Sequence, residues 1–433
     1  MALTIPKISQ KEIFLLGFFL LSFFNPVLIL AFFLYLLINA CYSLEIAIKG
    51  LILIAIRTII NPSIAINIDS VQLYKWMTIF LLCFIILIHS RKHQKNYVVS
   101  QFVLLETFFC VYIFVISAFN SSYPIVSMFK CFSYGFVFIS IIIGVSCTKD
   151  YIEWSKVLYH YITVLMIGSI IIAPLPISYY SDAHWFMGAT NHSQMFGIMA
   201  AIYSALVLCQ MMKENRSFFQ YIILVTIVVL SYNSGSRTGL IATLICLLYG
   251  YYVEVFKNKK FSIFVISVVG IIVLAIWFAE PAMELFREFI LKNNYGLSEA
   301  PITLDAVTAS RKGQYDLFLQ KFNSNRWLGA GFMVPFLPGV QDWSFSFGLI
   351  VENGNLFYSV LGDLGIIGLI LFIIVYGFIL VKGQKRNGRF ILYITPFLVC
   401  MGEMIFFSTN NNAIILYVML AEFLGGKDEL NFE

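Results

Sequence analysis

Apolar runs of helical length, separated by short polar interruptions, account for most of the chain. They fall near 13–25, 27–46, 50–68, 73–89, 99–118, 125–146, 156–174, 192–212, 218–232, 238–255, 261–279, 364–381, 391–408 and 411–425. A helix needs roughly 20 apolar residues to cross the hydrocarbon core, and fewer when it lies inside a bundle, so each run is a candidate span. The alternating strands of a membrane barrel, about 10 residues each, are absent, and backbone groups in lipid must then be paired within helices. The pattern predicts an all-α, polytopic integral membrane protein with 14 helices, or 12 to 13 if the first two runs form one tilted helix or a re-entrant hairpin.

The polar interruptions are of two kinds. Basic clusters at 91–95 (RKHQK), 149–156 (KDYIEWSK), 213–216 (KENR), 257–260 (KNKK) and 382–389 (KGQKRNGR) alternate with uncharged or mixed loops. Positive charge favours the cytoplasmic side of short loops, so these clusters are expected there. The opposite face carries 120–124, 173–194, 231–237 and the long segment 280–345, whose helical patterning near 282–292 and 309–322 predicts short helices. The expected organisation is a transmembrane bundle over 1–279, an extracytoplasmic loop over 280–345, C-terminal spans over 346–427 and a cytoplasmic tail over 428–433. A loop of this length is usually functional, so the site is expected on that face.

Composition excludes the other broad classes. Hydrophobic residues make up 60% and charged residues 12%, with a mean hydropathy of +0.87, which no water-soluble core of ordinary proportions absorbs. The net charge of +5 sits mostly in short loops, where it orients the chain, and gives no reason to expect nucleic acid as a partner. All 8 Cys lie in or beside apolar runs without metal-binding spacing, so they read as small core residues. No D-x-D, H-E-x-x-H or glycine-rich phosphate loop occurs, so neither a metal nor a cofactor is expected. The two halves show no internal repeat, which weighs against a transporter.

Several ionisable residues stand where charge is expensive. Arg237 sits where a polar hairpin turns into a span, and an arginine near hydrocarbon costs about 2.5–3.5 kcal/mol unless partnered. Arg311 opens a helical stretch, and a helix N-terminus and a guanidinium both attract anions. A phosphate suits both, because the guanidinium fork matches its oxygens. Within the spans, Arg57 and Lys130 are further candidates for a pyrophosphate, with ion pairs to Glu106 or Glu403 as the alternative. The polar cluster 351–355 contributes Glu352, a candidate general base, with Asn353 and Asn355 beside it. His192 and His184, on the same face, are structural groups or substitutes for that base, and Asp363 reads as structural.

These motifs, taken in order, resemble a known family. The segments SGSRTGL (234–240), Ser310-Arg311 followed by NRWLGAGF (325–332), and Asn355 followed by Gly365 and Gly368 resemble the O-antigen polymerase and O-antigen ligase superfamily, and GATNHSQMFG (188–197) resembles its Gly-x-x-x-Asn segment. The likeness spans about 185–385. In ligases a histidine precedes the asparagine of the last motif; here that position is Gly354.

The resemblance implies a GT-C-like, metal-independent glycosyltransferase of the bacterial inner membrane with its active site facing the periplasm. It implies donor and acceptor glycans carried on undecaprenyl pyrophosphate within membrane lipid, with a chain-length regulator and a flippase as companions. Under it Arg237, Arg311, Arg57 and Lys130 bind pyrophosphate, Glu352 acts as base with the two arginines as catalytic partners, and His192, Asn353 and Asn355 contact substrate. A repeat-unit polymerase is the expected activity, with a ligase as the alternative and a flippase more distant.

Overall fold

The computed structural model describes residues 10–91, 96–180, 185–213, 217–257, 284, 287, 311–346, 349, 354–383, 388–409 and 412–424. Among these the chain forms helices α1 (Gln10–Leu21), α2 (Pro26–Ala40), α3 (Leu44–Thr58), α4 (Gln72–Ser90), α5 (Tyr97–Asn120), α6 (Pro124–Thr148) and α7 (Trp154–Ile172). They are followed by α8 (Ser193–Met211), α9 (Phe218–Asn233), α10 (Arg237–Tyr252), α11 (Lys312–Ser324), α12 (Leu356–Lys382), α13 (Phe390–Val399) and α14 (Ala413–Leu424). Seven of the described helices, α4 to α8, α10 and α12, are long and apolar enough to cross a membrane. The protein is an all-α polytopic membrane protein.

Helix boundaries follow the apolar runs, with physical reasons where they depart. The first two runs are separate helices, because Asn25 accepts the Val27 amide hydrogen bond at 2.9 Å and Pro26 opens α2, a cap followed by a residue that carries no amide to satisfy. The run near 50–68 instead begins at Leu44, capped by the Ser43 hydroxyl, and ends at Thr58. Near 391–408 the helix stops at Val399, and a non-helical stretch containing Gly402 and Glu403 follows. In the other direction, α12 begins at Leu356, earlier than the run near 364–381, because its first turn is capped by polar Asn355. The helices expected near 261–279 and 282–292 lie outside the described residues, apart from 284 and 287.

The bundle closes around α8, which meets α10 at a crossing of two glycines. A Cβ on Gly239 would stand 2.6 Å from the Gly197 Cα, and one on Gly197 would overlap Ser236, so only glycine lets these backbones approach. At α5 and α6 the same device recurs, with Gly135 against the Cys110 sulfur.

Interactions between loops assign the two ends. At one end Glu153 forms an ion pair with Lys213, Trp154 donates its backbone N–H to Glu422 Oε2 at 3.3 Å, and Arg389 Nη2 lies 3.5 Å from Glu422 Oε1. That end gathers the described parts of the basic clusters 149–156, 213–216 and 382–389. Burial pushes the Glu153 carboxyl up, but Lys213 and hydrogen bonds from Ser155 and Gln210 outweigh it and hold the group down at about 2. The mixed loops meet at the other end.

Candidate active site

At that second end a glycine-rich segment and a broken helix account for each other. Helix α12 leaves helical geometry at Gly365, with φ 68° and ψ −171°. Four hydrogen bonds between 326–331 and 362–367 fill the gap: the Ile366 amide donates to the Arg326 carbonyl at 2.9 Å, Ile367 to Trp327 at 3.2 Å, Ala330 to Gly362 at 3.1 Å and Gly331 to Asp363 at 3.0 Å. Gly329 and Gly331 also have positive φ, 78° and 106°, where a Cβ is disfavoured. On Gly365 a Cβ would overlap the Trp327 carbonyl. Asp363 secures the joint by accepting the Met333 amide at 2.8 Å and pairing with the buried Lys321 of α11. The structural reading of Asp363 holds.

Above the break, Asn355 caps α12 with its oxygen, accepting the amides of Phe357 at 2.9 Å and Tyr358 at 3.2 Å. Its Nδ2 donates to the Met401 carbonyl at 3.0 Å, and the Leu356 amide donates to Cys400 at 2.9 Å. The Asn355 carboxamide, an expected substrate contact, is engaged as a brace that holds 400–402 beside the top of α12.

Arg311 reaches into this brace from the N-terminus of α11. Its Nη1 donates to the Gly354 carbonyl at 3.0 Å and to the Gly402 carbonyl, and its Nη2 lies 3.2 Å from Glu403 Oε1. Gly402 in turn packs against Thr238, the neighbour of Arg237: a Cβ on Gly402 would be 2.5 Å from the Thr238 Cβ. Arg237 and Arg311, 74 positions apart in sequence (311 − 237), are close enough to interact electrostatically. The Gly197–Gly239 crossing holds the first turn of α10 against α8, whose N-cap is His192. The His192 ring accepts the Gln194 amide at 3.2 Å on Nδ1 and lies 5.5 Å from the Tyr180 ring. Trp185 covers Gly235, one wall of the turn that leads into Arg237.

The other expected ligands have protein partners. Arg57, 1% exposed, donates to the Ser22 hydroxyl at 3.1 Å and to the carbonyls of Ser22 and Ile66 at 3.0 and 2.5 Å, and stacks on Phe23. Lys130 donates to the carbonyls of Met333 and Leu349 at 2.6 and 2.7 Å. The ion pairs considered for these cations with Glu403 or Glu106 do not form: Glu403 pairs with Arg311, and Glu106 accepts from the Cys110 thiol at 3.6 Å. Glu352, Asn353 and His184 lie outside the described residues.

Residues 221–373 match the family described as O-antigen ligase. This region belongs to the O-antigen polymerase and ligase superfamily. No curated protein and no solved structure gives a match. The superfamily region carries Arg237, Arg311, the glycine-rich segment and the Gly365 break, whereas Gly402 and Glu403 lie beyond it and complete the mouth from the C-terminal side.

Sequence reasoning assigned Glu403 to a span and passed over Gln314 and Gly402. The polar Gly-Glu pair inside an apolar run was the available signal that the run ended early. It also passed over the aromatic layer that seats α11, in which Phe318 stacks on Tyr358 with ring centroids 4.8 Å apart. Among the described residues, Arg237, Arg311 and Glu403 together carry a net charge of +1, an arrangement that suits an anionic ligand with more than one oxygen.

Proposed function

We propose that the protein is a repeat-unit polymerase of bacterial envelope polysaccharide, transferring a glycan from undecaprenyl pyrophosphate to a sugar hydroxyl of another lipid-linked repeat. The observation that carries this reading is the meeting of Arg237 and Arg311 at one mouth, with Glu403 fixing the orientation of Arg311. Two neighbouring guanidinium groups repel each other, and a diphosphate removes that repulsion.

In the proposed reaction the acceptor oxygen attacks the anomeric carbon, the bond from that carbon to the pyrophosphate oxygen breaks, and undecaprenyl pyrophosphate leaves with the electron pair. Arg237 and Arg311 hold the diphosphate and stabilise its growing charge; bonds that strengthen along this path lower the barrier. The acceptor proton goes to Glu352, with His192 near the same mouth. Glu403 orients Arg311 and is the second carboxylate to test as base. Arg57 and Lys130, if they meet the diphosphate, do so only by exchanging their present carbonyl partners. Gly354 favours polymerase over ligase, because it offers no imidazole where the ligases have one. The same reading takes the mouth to face the periplasm, since the basic clusters gather at the opposite end.

The deciding experiment supplies purified protein in nanodiscs with lipid-linked repeat units, with and without lipid A core. A ladder of products without lipid A core supports the polymerase, a single transfer that requires lipid A core supports the ligase, and no transfer in either arm defeats both.

A further inference from the structure

Position 354 has no side chain, yet the volume that its side chain would fill is occupied. A Cβ built on Gly354 would overlap Gln314 Oε1, and it would stand 2.9 Å from the Gln314 carboxamide carbon and 2.5 Å from Arg311 Nη1, all shorter than ordinary contact. Gln314, in the first turn of α11, therefore extends over the Gly354 backbone, and its Oε1 accepts from Arg311 Nη1 at 3.4 Å. Its Nε2 makes no hydrogen bond among the described residues, although the side chain is half-buried beside Arg311.

We infer that Gln314 is a diphosphate-site residue that takes the side-chain space of position 354, steadies the Arg311 guanidinium through Oε1 and presents its Nε2 hydrogens to a ligand oxygen. The proposal rests on the polymerase reading for the identity of the diphosphate, but the geometry stands without it. Gly354 is then a steric requirement of this site. A side chain there displaces the Gln314 carboxamide, the Arg311 guanidinium or both, and because each is the end of a flexible side chain the effect is read in ligand binding and not in folding.

The test uses full-length protein in nanodiscs and inorganic pyrophosphate as the probe, followed by calorimetry. Gln314→Ala is expected to weaken binding about tenfold, the effect of losing one charge-assisted contact. Gly354→Ala is expected to weaken it to a similar degree, and the double variant to bind no worse than Gln314→Ala, because the end of Arg311 can then shift into the space that Gln314 leaves. Gln314→Glu keeps an acceptor for Arg311 but turns a negative oxygen towards the ligand, so it binds more weakly than Gln314→Ala. Additive losses in the double variant, wild-type affinity in Gln314→Ala or Gln314→Glu, or no pyrophosphate binding by the unaltered protein would overturn the inference. If the binding pattern holds while the unaltered protein makes no polymer from lipid-linked repeats, the polymerase reading fails and the assignment of Gln314 stands.

Discussion

Lys321 Nζ and Asp363 Oδ1 lie 2.6 Å apart in a buried ion pair that joins α11 to the last turn before the Gly365 break. Removing one partner leaves a buried charge uncompensated, a loss of about 3–5 kcal/mol. Lys321→Met is therefore expected to lower the thermal midpoint in detergent markedly, and Lys321→Met with Asp363→Asn to recover part of it. Equal midpoints for Lys321→Met and the unaltered protein would show that α11 is held by its aromatic contacts instead.

Arg311 and Arg237 differ in how much a lysine can replace. Arg311 addresses two carbonyls and a carboxylate at once, a fork that one ammonium cannot reproduce. Arg311→Ala and Arg237→Ala are both expected to abolish long-chain polymer at normal protein level, a loss of roughly 1.5–3 kcal/mol per charge-assisted bond. Arg311→Lys should resemble Arg311→Ala, whereas Arg237→Lys should retain partial activity. Chain-length profiles on gels, normalised to membrane protein, measure both.

Gly365→Ala places a Cβ in a backbone conformation that L residues avoid and against the Trp327 carbonyl. The conformational part alone costs about 1–3 kcal/mol, and the overlap adds to it. Reduced folded yield and a lower midpoint are expected, while Gly377→Ala, in the same helix with open space around it, should be neutral.

The base assignment separates two carboxylates. Glu352→Gln is expected to remove turnover with pyrophosphate binding retained, while Glu403→Gln should weaken binding through Arg311 and leave part of the turnover. Turnover in Glu352→Gln at the level of the unaltered protein moves the base to Glu403 or His192.

At the opposite end, Glu153 provides a pH test. Its folded carboxyl titrates at about 2 against an ordinary 4.5, so its contribution is complete above about 4.5 and is lost as pH falls through about 2. One third of the side chain is exposed, and screening reduces the contribution to about 1 kcal/mol. The midpoint difference between the unaltered protein and Glu153→Gln should be constant near neutrality and shrink across that acid window. A difference that persists at low pH assigns the effect to packing.

Spans were legible because hydropathy is a local property: α4 to α10 begin and end within a few residues of their apolar runs. Arg237 and Arg311 were legible as candidates for one site because a guanidinium at the edge of hydrocarbon needs a partner wherever the chain goes, and the fold brings the two together. What was not legible depended on distant backbone. The bracing role of Asn355 was not legible because a polar residue at a span entrance has several uses, and its partner Met401 lies 46 residues away. The present partners of Arg57 and Lys130 were not legible, because the carbonyls that engage them come from Ile66, Met333 and Leu349, groups that every residue carries and no pattern advertises. Glu403 was misplaced because the Gly402-Glu403 pair, the local mark that α13 has ended, is a short interruption in an otherwise apolar run.

The hydrogen bonds across the Gly365 break also set a rule for chimeras. Segments 326–331 and 362–367 are two halves of one joint, and the cap at Asn355 ties 400–402 to it. Exchanging the outer loop alone between two such proteins would bring only one half of that joint into a foreign partner. A transplant designed to change glycan preference should therefore carry 311–333, 354–368 and 400–403 as a single cassette, and leave the spans beneath to the host.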